Sequence, residues 1–206
     1  MHIATITDPA SPKLDALMAI YEQAIPASER KSRAVIAGLA AREDYRLLVC
    51  EDDGKLVGFA ILYTSAREPM ALLEYLAVDM TVRGRGLGAV LFAASADASG
   101  DRLMLMEVDS ERGAPNPAEC LRRKAFYRRL GCLQVEGLAY RMPPIGDGVP
   151  PDMDMLVKGP AGITSVDRAR MRDWLEDIYA NVYGQPMPDS RVDAMVAGLP
   201  ETLALI

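Results

Sequence analysis

The sequence has few of the residues that support histidine, thiol and metal chemistry. Its 206 residues include one histidine, His2, which lies beside the N-terminus, and three cysteines. A Ser-His-Asp triad or a multi-histidine metal site is therefore excluded by count. Cys50, Cys120 and Cys132 are odd in number and lack metal-type spacing, so we predict no metal site. Cys50 and Cys132 lie in apolar runs and are expected to be reduced and buried.

Long apolar segments are also missing. No stretch approaches the roughly 18 apolar residues that a membrane-spanning helix needs. The first residues, MHIATITDPASPKL, have neither a basic region nor an apolar one of the secretory type. We therefore expect a cytoplasmic protein with no membrane partner.

Basic residues are outnumbered, with 23 Lys and Arg against 29 Asp and Glu and a formal net charge of −6. A general nucleic-acid binder needs a net basic face to neutralise phosphates, so this class is not expected. The balance slightly favours neutral or cationic substrates.

The hydrophobic periodicity predicts an α/β chain in the order α-α-β-β-β-α-β-α-β up to about Met142. The first helix is expected over about 11–24, and the second begins near Ser28. Asp53-Gly54 joins two β-type runs over 45–64 and indicates a hairpin. Further strands are predicted at 70–79, 101–109 and 132–142, with helices at 86–98 and 118–131.

A Pro/Gly-rich connector at 143–151 suggests a boundary. We predict a core over 1–142 and an extension over 143–206 that packs on it and is not an independent domain. The extension should contain a strand at 152–159, an amphipathic helix from Thr164 and a short helix near 190–198. Its Trp174, Tyr179 and Tyr183 are candidates for a lid on a substrate site, a homodimer contact or additional core.

The segment TVRGRGLGAVLF, residues 81–92, places three glycines between a strand and a helix. The glycines alone are compatible with a simple turn. Gly84, Gly86 and Ala89 also satisfy the dinucleotide pattern G-x-G-x-x-G/A, with Glu107 and Asp109 as downstream acids. A third interpretation begins at Arg83 and takes the pattern as R-x-x-G-x-G. Free amides at a helix start bind anions in either case.

The third interpretation resembles motif A of the GCN5-related N-acetyltransferases (GNAT family), whose loop holds the pyrophosphate of acetyl-CoA. EYLAVD before the loop resembles the family's preceding strand, and AFYRRLGC at 125–132 resembles its AxxFYxxxGF segment. The element order up to Met142 also resembles that of the family. The resemblance implies a GNAT-type mixed, mostly antiparallel central sheet flanked by helices.

The resemblance also implies which residues hold acetyl-CoA as co-substrate. The backbone of the strand before the loop contacts the pantetheine arm, the loop holds the pyrophosphate, and the helix of Tyr127 contributes further contacts. The implied cofactor-binding residues are Leu76, Ala77, Val78, Arg83, Gly84, Arg85, Gly86, Leu87, Gly88, Ala89, Arg123 and Phe126. Cys120 stands near where many members have a cofactor-contacting Asn. Arg122 and Arg123 are either phosphate contacts or part of a solvated basic face with Lys124, Arg128 and Arg129.

Acetyl transfer to an amine requires a base, stabilisation of the thioester oxygen and an acid for the leaving thiolate. Strand alternation places Glu74 on the same face as Val78, and a carboxylate inside ALLEYLAV is otherwise hard to accommodate. Glu74 is the candidate general base, with Glu107 second and a structural ion pair as the alternative role. Tyr127 is the candidate general acid, or else a packing residue. The Val78 N–H is the candidate oxyanion donor.

The acceptor is predicted to be a small-molecule amine. Ser28, Glu29 and Arg30 lie at the junction of the first two helices and are candidate substrate contacts, as is Glu107, although Ser28 is equally suited to be a helix N-cap. Two alternative functions stay open: a non-catalytic acyl-CoA-binding or sensing module, and an NAD-type dinucleotide-binding protein.

Overall fold

The structure is a computed structural model and describes residues 1–145 and 150–206. The chain forms two structural units. The first consists mainly of Met1–Ala66 and Ala71–Asp101, and the second mainly of Arg102–Pro144 and residues 150–206.

The first unit is an antiparallel sheet with helices packed on it. Its strands follow the order β1-β2-β3-β4, and α1 and α3 both contact β3. The elements of this unit are β1 His2–Ile6, α1 Lys13–Ala24, α2 Arg33–Leu39, β2 Tyr45–Asp52, β3 Lys55–Thr64, β4 Met70–Val78 and α3 Leu87–Ser99.

The predicted hairpin is confirmed, and its turn shows why the sequence indicated it. Asp53 and Gly54 both have positive φ, at 48° and 74°, as a tight two-residue turn between twisted strands requires. Central residues of both strands are fully buried, including Leu47, Val49 and Phe59. This hairpin forms the middle of the sheet on which the candidate site is built.

The second unit is also built on antiparallel pairing. β8 pairs with β5, β6 and β7, and β9 pairs with β10. Trp174, Leu175 and Ile178 on α5 are completely buried. The elements of this unit are β5 Leu103–Asp109, α4 Pro117–Arg129, β6 Leu133–Gln134, β7 Tyr140–Arg141, β8 Asp152–Lys158, β9 Ser165–Asp167, α5 Arg168–Asn181, α6 Ser190–Val196 and β10 Thr202–Ala204.

The prediction that the second helix begins near Ser28 is wrong. Residues Ala27–Glu29 form a single 3₁₀ turn, and α2 begins at Arg33. Ser32, not Ser28, is its N-cap and accepts a hydrogen bond from the Val35 N–H. The chain from Pro26 to Ser32 is therefore free to lie beside β4 instead of following a helical path.

Two other elements differ from prediction. The expected strand over 132–142 is two short strands, β6 and β7, and the amphipathic helix begins at Arg168, after β9, and not at Thr164. Part of the predicted connector, residues 146–149, lies outside the described residues. The boundary between a core over 1–142 and an extension over 143–206 stays a prediction, although β8 of that extension belongs to the same antiparallel sheet as β5.

Candidate functional site

The glycine loop leads into α3 in a geometry that only glycine adopts easily. Gly84 has φ +86° and Gly86 has φ +80°, the left-handed region in which a Cβ is strained. A Cβ built on either residue would meet no atom within 4 Å, so the glycines are required by backbone conformation and not by crowding. Gly86 is the N-cap of α3 and supplies no side-chain cap. The loop is exposed, and the start of α3 can therefore receive an anionic ligand.

The predicted arginines lie on the solvent side of this loop. Arg83 is exposed, and Arg85 forms an ion pair with Asp52 of the β2–β3 hairpin at 2.7 Å. The Arg85 side chain is 56% exposed, and exposed pairs of this kind are weak. The Arg85 side chain therefore lies beside the loop, but this weak ion pair does not restrict it to one position.

The backbone of β4 has one edge facing away from β3. The Asp79 N–H donates to the Val57 carbonyl on β3 at 2.9 Å, and Gly58 lies opposite Val78. Because N–H directions alternate along a strand, the Val78 N–H points away from β3. Leu76 and Val78 are both partly exposed, and Ala77 between them is buried.

Gly58 allows the close approach of β3, β4 and α3. A Cβ at this position would lie 2.9 Å from the Ala77 carbonyl oxygen and 2.9 Å from the Leu91 side chain. Real Cβ atoms do not approach this closely. This role depends on packing between distant segments, so sequence reasoning did not identify Gly58.

Glu74 is the extra residue of a β-bulge in β4. Tyr75 pairs with Ile61 and Leu73 pairs with Leu62, which leaves Glu74 opposite no residue of β3. A bulge redirects the inserted side chain, and bulges are frequent beside active sites. Glu74, Leu76 and Val78 are the partly exposed residues at this end of the strand, although the Glu74 side chain itself is only 2% exposed.

The Glu74 carboxylate is paired with a lysine that sequence reasoning missed. Lys31 Nζ lies 2.5 Å from Glu74 Oε1, with side-chain exposures of 8% and 2% respectively. The backbone N–H of Lys31 donates a hydrogen bond to the Tyr21 hydroxyl at 2.8 Å, which fixes the backbone of Lys31. Burial, followed by the Glu74 carboxylate, raises the pKa of the neighbouring Tyr45. A buried carboxylate is kept ionised at low cost only when a cation accompanies it.

The predicted acceptor contacts lie near the same strand. The Tyr75 hydroxyl, one residue from Glu74, donates to the Glu29 carbonyl at 2.9 Å. Arg30 is turned back toward α1, where its Nε donates to the Ile25 carbonyl at 2.6 Å. Ser28 is partly exposed within the 3₁₀ turn.

Tyr127 lies in the second unit, on α4, and is 8% exposed. Burial raises its pKa to about 12, and the neighbouring Arg123 opposes this rise. The phenol therefore keeps its proton throughout the neutral range, which a proton donor to a thiolate requires. Phe126 contacts it in an edge-on arrangement, with ring centroids 5.1 Å apart.

The basic residues of α4 are not one solvated face. Lys124 is 3% exposed and forms ion pairs with Asp154 and Glu111, so its predicted place on a solvated basic face is wrong. The burial of Asp154, at 1% exposure, explains why a lysine is buried here. Arg123 pairs with Asp109 at 2.7 Å, whereas Arg122 is exposed.

Glu107 on β5 accepts hydrogen bonds from two tyrosines. The Tyr140 hydroxyl donates to Oε1 and the Tyr183 hydroxyl donates to Oε2. Burial, followed by the Glu107 carboxylate, raises the pKa of Tyr140 well above its ordinary value. Tyr183 was predicted only as a possible lid, subunit contact or core residue, because nothing local in the sequence links it to Glu107.

The predicted site residues therefore divide between the two units. Ser28, Glu29, Glu74 and the residues of β4 and the glycine loop belong to the first unit. Glu107, Arg123, Phe126 and Tyr127 belong to the second. Among the described residues, all three cysteines are free and buried, as predicted for Cys50 and Cys132.

Residues 43–131 match the family model for the acetyltransferase (GNAT) domain. The matched range contains the bulged strand β4, the glycine loop and Tyr127. This part of the chain is similar to a GNAT acetyltransferase domain. The match favours the R-x-x-G-x-G interpretation of the loop over the dinucleotide fingerprint, and it confirms the predicted enzyme class, an acetyltransferase, for this domain.

Solved structures similar to this chain support the same fold. A candidate acetyltransferase of the GNAT family from Bacteroides thetaiotaomicron is 19% identical with a TM-score of 0.73, covering 90% of this chain and 100% of that one. The ribosomal-protein-S18-alanine N-acetyltransferase from Escherichia coli is 22% identical with a TM-score of 0.54, covering 79% and 97%. An aminoglycoside 6'-N-acetyltransferase complexed with coenzyme A is 16% identical with a TM-score of 0.57, covering 77% and 96%.

These likenesses confirm the predicted mixed α/β, mostly antiparallel GNAT fold. No curated protein sequence matches the chain. Within the described residues, no helix has the length and apolar character needed to cross a membrane.

Proposed function

We propose that this protein is an acetyl-CoA-dependent N-acetyltransferase that transfers the acetyl group directly to the amine of a small molecule. The observation that carries the proposal is the exposed glycine loop, which enters α3 through two left-handed glycines without a side-chain cap. Such a helix start suits the pyrophosphate of coenzyme A. The coenzyme A complex of the aminoglycoside acetyltransferase with the same fold supports this choice of ligand.

Residues of the first unit are proposed to hold the co-substrate. The loop from Arg83 to Ala89 would bind the pyrophosphate, with Arg83 and Arg85 beside it. The outward-facing backbone of Leu76–Val78 would pair with the pantetheine arm. The Val78 N–H points away from β3, and we propose it as the donor that stabilises negative charge on the thioester oxygen. Arg123 and Phe126 are proposed as further contacts on α4.

The proposed chemistry uses one base and one acid. Glu74 accepts a proton from the acceptor amine, the amine nitrogen bonds to the acetyl carbon, and the carbon–sulfur bond breaks. Tyr127 protonates the departing thiolate. The Glu74 carboxylate forms a buried ion pair with Lys31. Glu107 is the second candidate for the base.

The acceptor is proposed to be a small molecule, and Ser28 and Glu29 are proposed to contact it. An aminoglycoside acetyltransferase is among the proteins with this fold, which supports such an acceptor, and the alanine N-acetyltransferase makes a peptide amine the alternative. The cytoplasm is the proposed location, where three free, buried cysteines stay reduced. Of the aromatic residues in the extension, Trp174 and Tyr179 are completely buried, so they are core residues and not a subunit contact. A homodimer is proposed without them.

A non-catalytic acyl-CoA-binding protein is the second candidate function. The observation that favours it is the ion pair between Lys31 and Glu74, because the carboxylate proposed as the base is already paired with an ammonium. An enzyme needs that carboxylate to receive a proton from the acceptor, whereas a sensor does not.

Release of the coenzyme A thiol from acetyl-CoA distinguishes the two functions. We expect thiol release with at least one class among polyamines, amino acids, aminoglycosides and peptides. Glu74→Gln should lower turnover by about 10²–10⁴-fold, the usual contribution of a general base. Tight binding of acetyl-CoA without thiol release from any amine, and with no effect of Glu74→Gln, would favour the sensor.

A further inference from the structure

The segment 25–31 follows α1 and is attached to β4 at two adjacent residues. The Tyr75 hydroxyl donates to the Glu29 carbonyl at 2.9 Å, and Lys31 Nζ lies 2.5 Å from Glu74 Oε1. All of these residues belong to the first unit. The segment that carries the proposed acceptor contacts is therefore held against the strand that carries the proposed base.

The backbone of Lys31 is held by a different element, α1. Its N–H donates to the hydroxyl of Tyr21, which is a fully buried residue of that helix. The Tyr21 ring contacts the Tyr75 ring edge-on, with centroids 5.0 Å apart. Lys31 is therefore fixed at its backbone by α1 and at its ammonium by β4.

Glu74 depends on this lysine for the orientation of its carboxylate. Glu74 is the inserted residue of the β4 bulge, so no residue of β3 lies opposite it. Of the described residues, none donates a well-aligned hydrogen bond to either carboxylate oxygen. The ion pair with Lys31 is buried on both sides, and buried pairs are screened little by salt.

A general base needs such orientation more than most residues do. Its oxygen must lie within hydrogen-bond reach of the proton that it receives. A displacement of about 1 Å can lower the rate by about 10²-fold. An ion pair with a fixed lysine restricts the carboxylate of a bulged residue to one position, and it also offsets the cost of burying the charge.

We propose that Lys31 is the positioning residue of Glu74, and that its ammonium orients the carboxylate without contacting the reacting atoms. This inference rests on the proposed function, in which Glu74 is the base. The ion pair is then a requirement for turnover and not an obstacle to it.

Steady-state kinetics of Lys31 variants test this role. Thiol release from acetyl-CoA is measured with the most reactive amine among polyamines, amino acids, aminoglycosides and peptides. Lys31→Met should lower kcat by about 10–10²-fold and change the KM for acetyl-CoA by less than about twofold. Circular dichroism checks that each variant is folded. If Lys31→Met does not fold, Lys31→Gln takes its place and should still lower kcat by about tenfold.

Combination with Glu74→Gln separates positioning from a general loss of structure. If Lys31 acts only through Glu74, Lys31→Met should lower kcat by less than about twofold further in the Glu74→Gln background. Lys13→Met is the matched control, because Lys13 pairs with Glu51 and not with Glu74. It should leave kcat unchanged in both backgrounds.

Carbon-13 NMR of protein labelled at the glutamate side-chain carboxyl gives a readout that needs no substrate. The Glu74 signal is the one that disappears in Glu74→Gln. Lys31→Met should displace this signal, whereas Lys13→Met should leave it in place and displace the signal of Glu51 instead. An unmoved Glu74 signal in Lys31→Met would contradict the inference.

The kinetic results that would overturn the inference are wild-type kcat in Lys31→Met, an equal loss in Lys13→Met, or an undiminished loss in the Glu74→Gln background. If the Glu74 signal moves as expected but no amine releases coenzyme A, the proposed enzymatic function fails and the positioning of the carboxylate stands. If Glu74→Gln abolishes thiol release but Lys31→Met retains it fully, the enzymatic function stands and this inference fails.

Discussion

At the scale of single residues, the burial of Tyr127 is what suits it to donate a proton. Its pKa of about 12 reflects removal of the phenol from water, which disfavours the phenolate. The same burial would stabilise a tyrosine used only for packing. Substitution that keeps the ring and removes the hydroxyl separates these roles.

Tyr127→Phe should lower turnover by about 10²–10⁴-fold, the range typical of a lost general acid. The affinity for acetyl-CoA should change little, because the ring and its contact with Phe126 remain. Steady-state kinetics and calorimetry check the two parts. Unchanged turnover would reduce Tyr127 to a packing residue.

The ion pair of Lys31 and Glu74 also has consequences for stability. Removing the cation leaves a buried carboxylate without compensation. Lys31→Met should therefore lower the free energy of unfolding by about 3–5 kcal/mol in urea denaturation, and adding Glu74→Gln should restore part of it.

Lys13→Met provides the matched control for this pair. Lys13 pairs with Glu51 at 2.8 Å, but its side chain is 43% exposed. Its loss should cost no more than about 1 kcal/mol. Equal effects of Lys31→Met and Lys13→Met would show that the Lys31 pair is not stabilised by burial.

At the scale of secondary-structure elements, the glycine loop and α3 form the feature most specific to the proposed ligand. Gly86→Ala forces a Cβ into the left-handed region at φ +80°. The strain should cost about 1–2 kcal/mol of stability. The added Cβ would meet no protein atom within 4 Å, so a loss of acetyl-CoA binding would come from the altered loop backbone and not from a clash within the protein. We expect the Kd for acetyl-CoA to rise by about tenfold or more.

Gly38→Ala is the control for this substitution. Gly38 lies in α2, has no positive φ and has open space around its Cβ position. Alanine should stabilise the helix by about 0.5–1 kcal/mol and leave acetyl-CoA binding unchanged. Wild-type affinity in Gly86→Ala would contradict the proposed role of the loop.

The elements that sequence reasoning predicted were those with strong local signals. The Asp53-Gly54 turn, the periodicity of α1 and α3, and Gly100 after α3 are local features, and the structure contains them. β1 was missed because a five-residue strand at the N-terminus is defined by its pairing with β2. The late start of α2 was missed because Ser28 and Ser32 are equally good caps by composition.

The part of the site that could be predicted from the sequence also rests on local signals. The glycine loop and Glu74 stand out within a dozen residues of one another in the sequence. The pairing of Glu74 with Lys31 and of Glu107 with Tyr183 depends on tertiary packing, and Glu107 and Tyr183 lie 76 residues apart. No local pattern specifies such contacts, so single-sequence reasoning could name the carboxylates and not their partners.

At the scale of the whole molecule, buried tyrosines should limit stability at high pH. Burial raises the pKa of Tyr21, Tyr127 and Tyr179 to about 12 in the folded protein, against about 10 in an unfolded chain. A group with a raised folded pKa stabilises the fold below its unfolded pKa and loses that effect as pH rises. The free energy of unfolding should therefore fall between about pH 10 and pH 12.

Urea denaturation at a series of pH values, with tyrosinate absorbance followed in parallel, checks this expectation. Buried tyrosines should titrate together with unfolding. Full titration near pH 10 in a protein that stays folded would contradict the buried environments described here.

The central claim is that the protein moves an acetyl group from coenzyme A to an amine. Its most direct test is incubation with isotope-labelled acetyl-CoA and a panel of amines, with mass spectrometry of the acceptors. The account predicts labelled acetyl on an amine nitrogen, one coenzyme A thiol released per acetyl transferred, and strong loss of both in Glu74→Gln and Tyr127→Phe. Saturable binding of acetyl-CoA with no labelled acceptor, or saturation by a nicotinamide dinucleotide in place of acetyl-CoA, would contradict it.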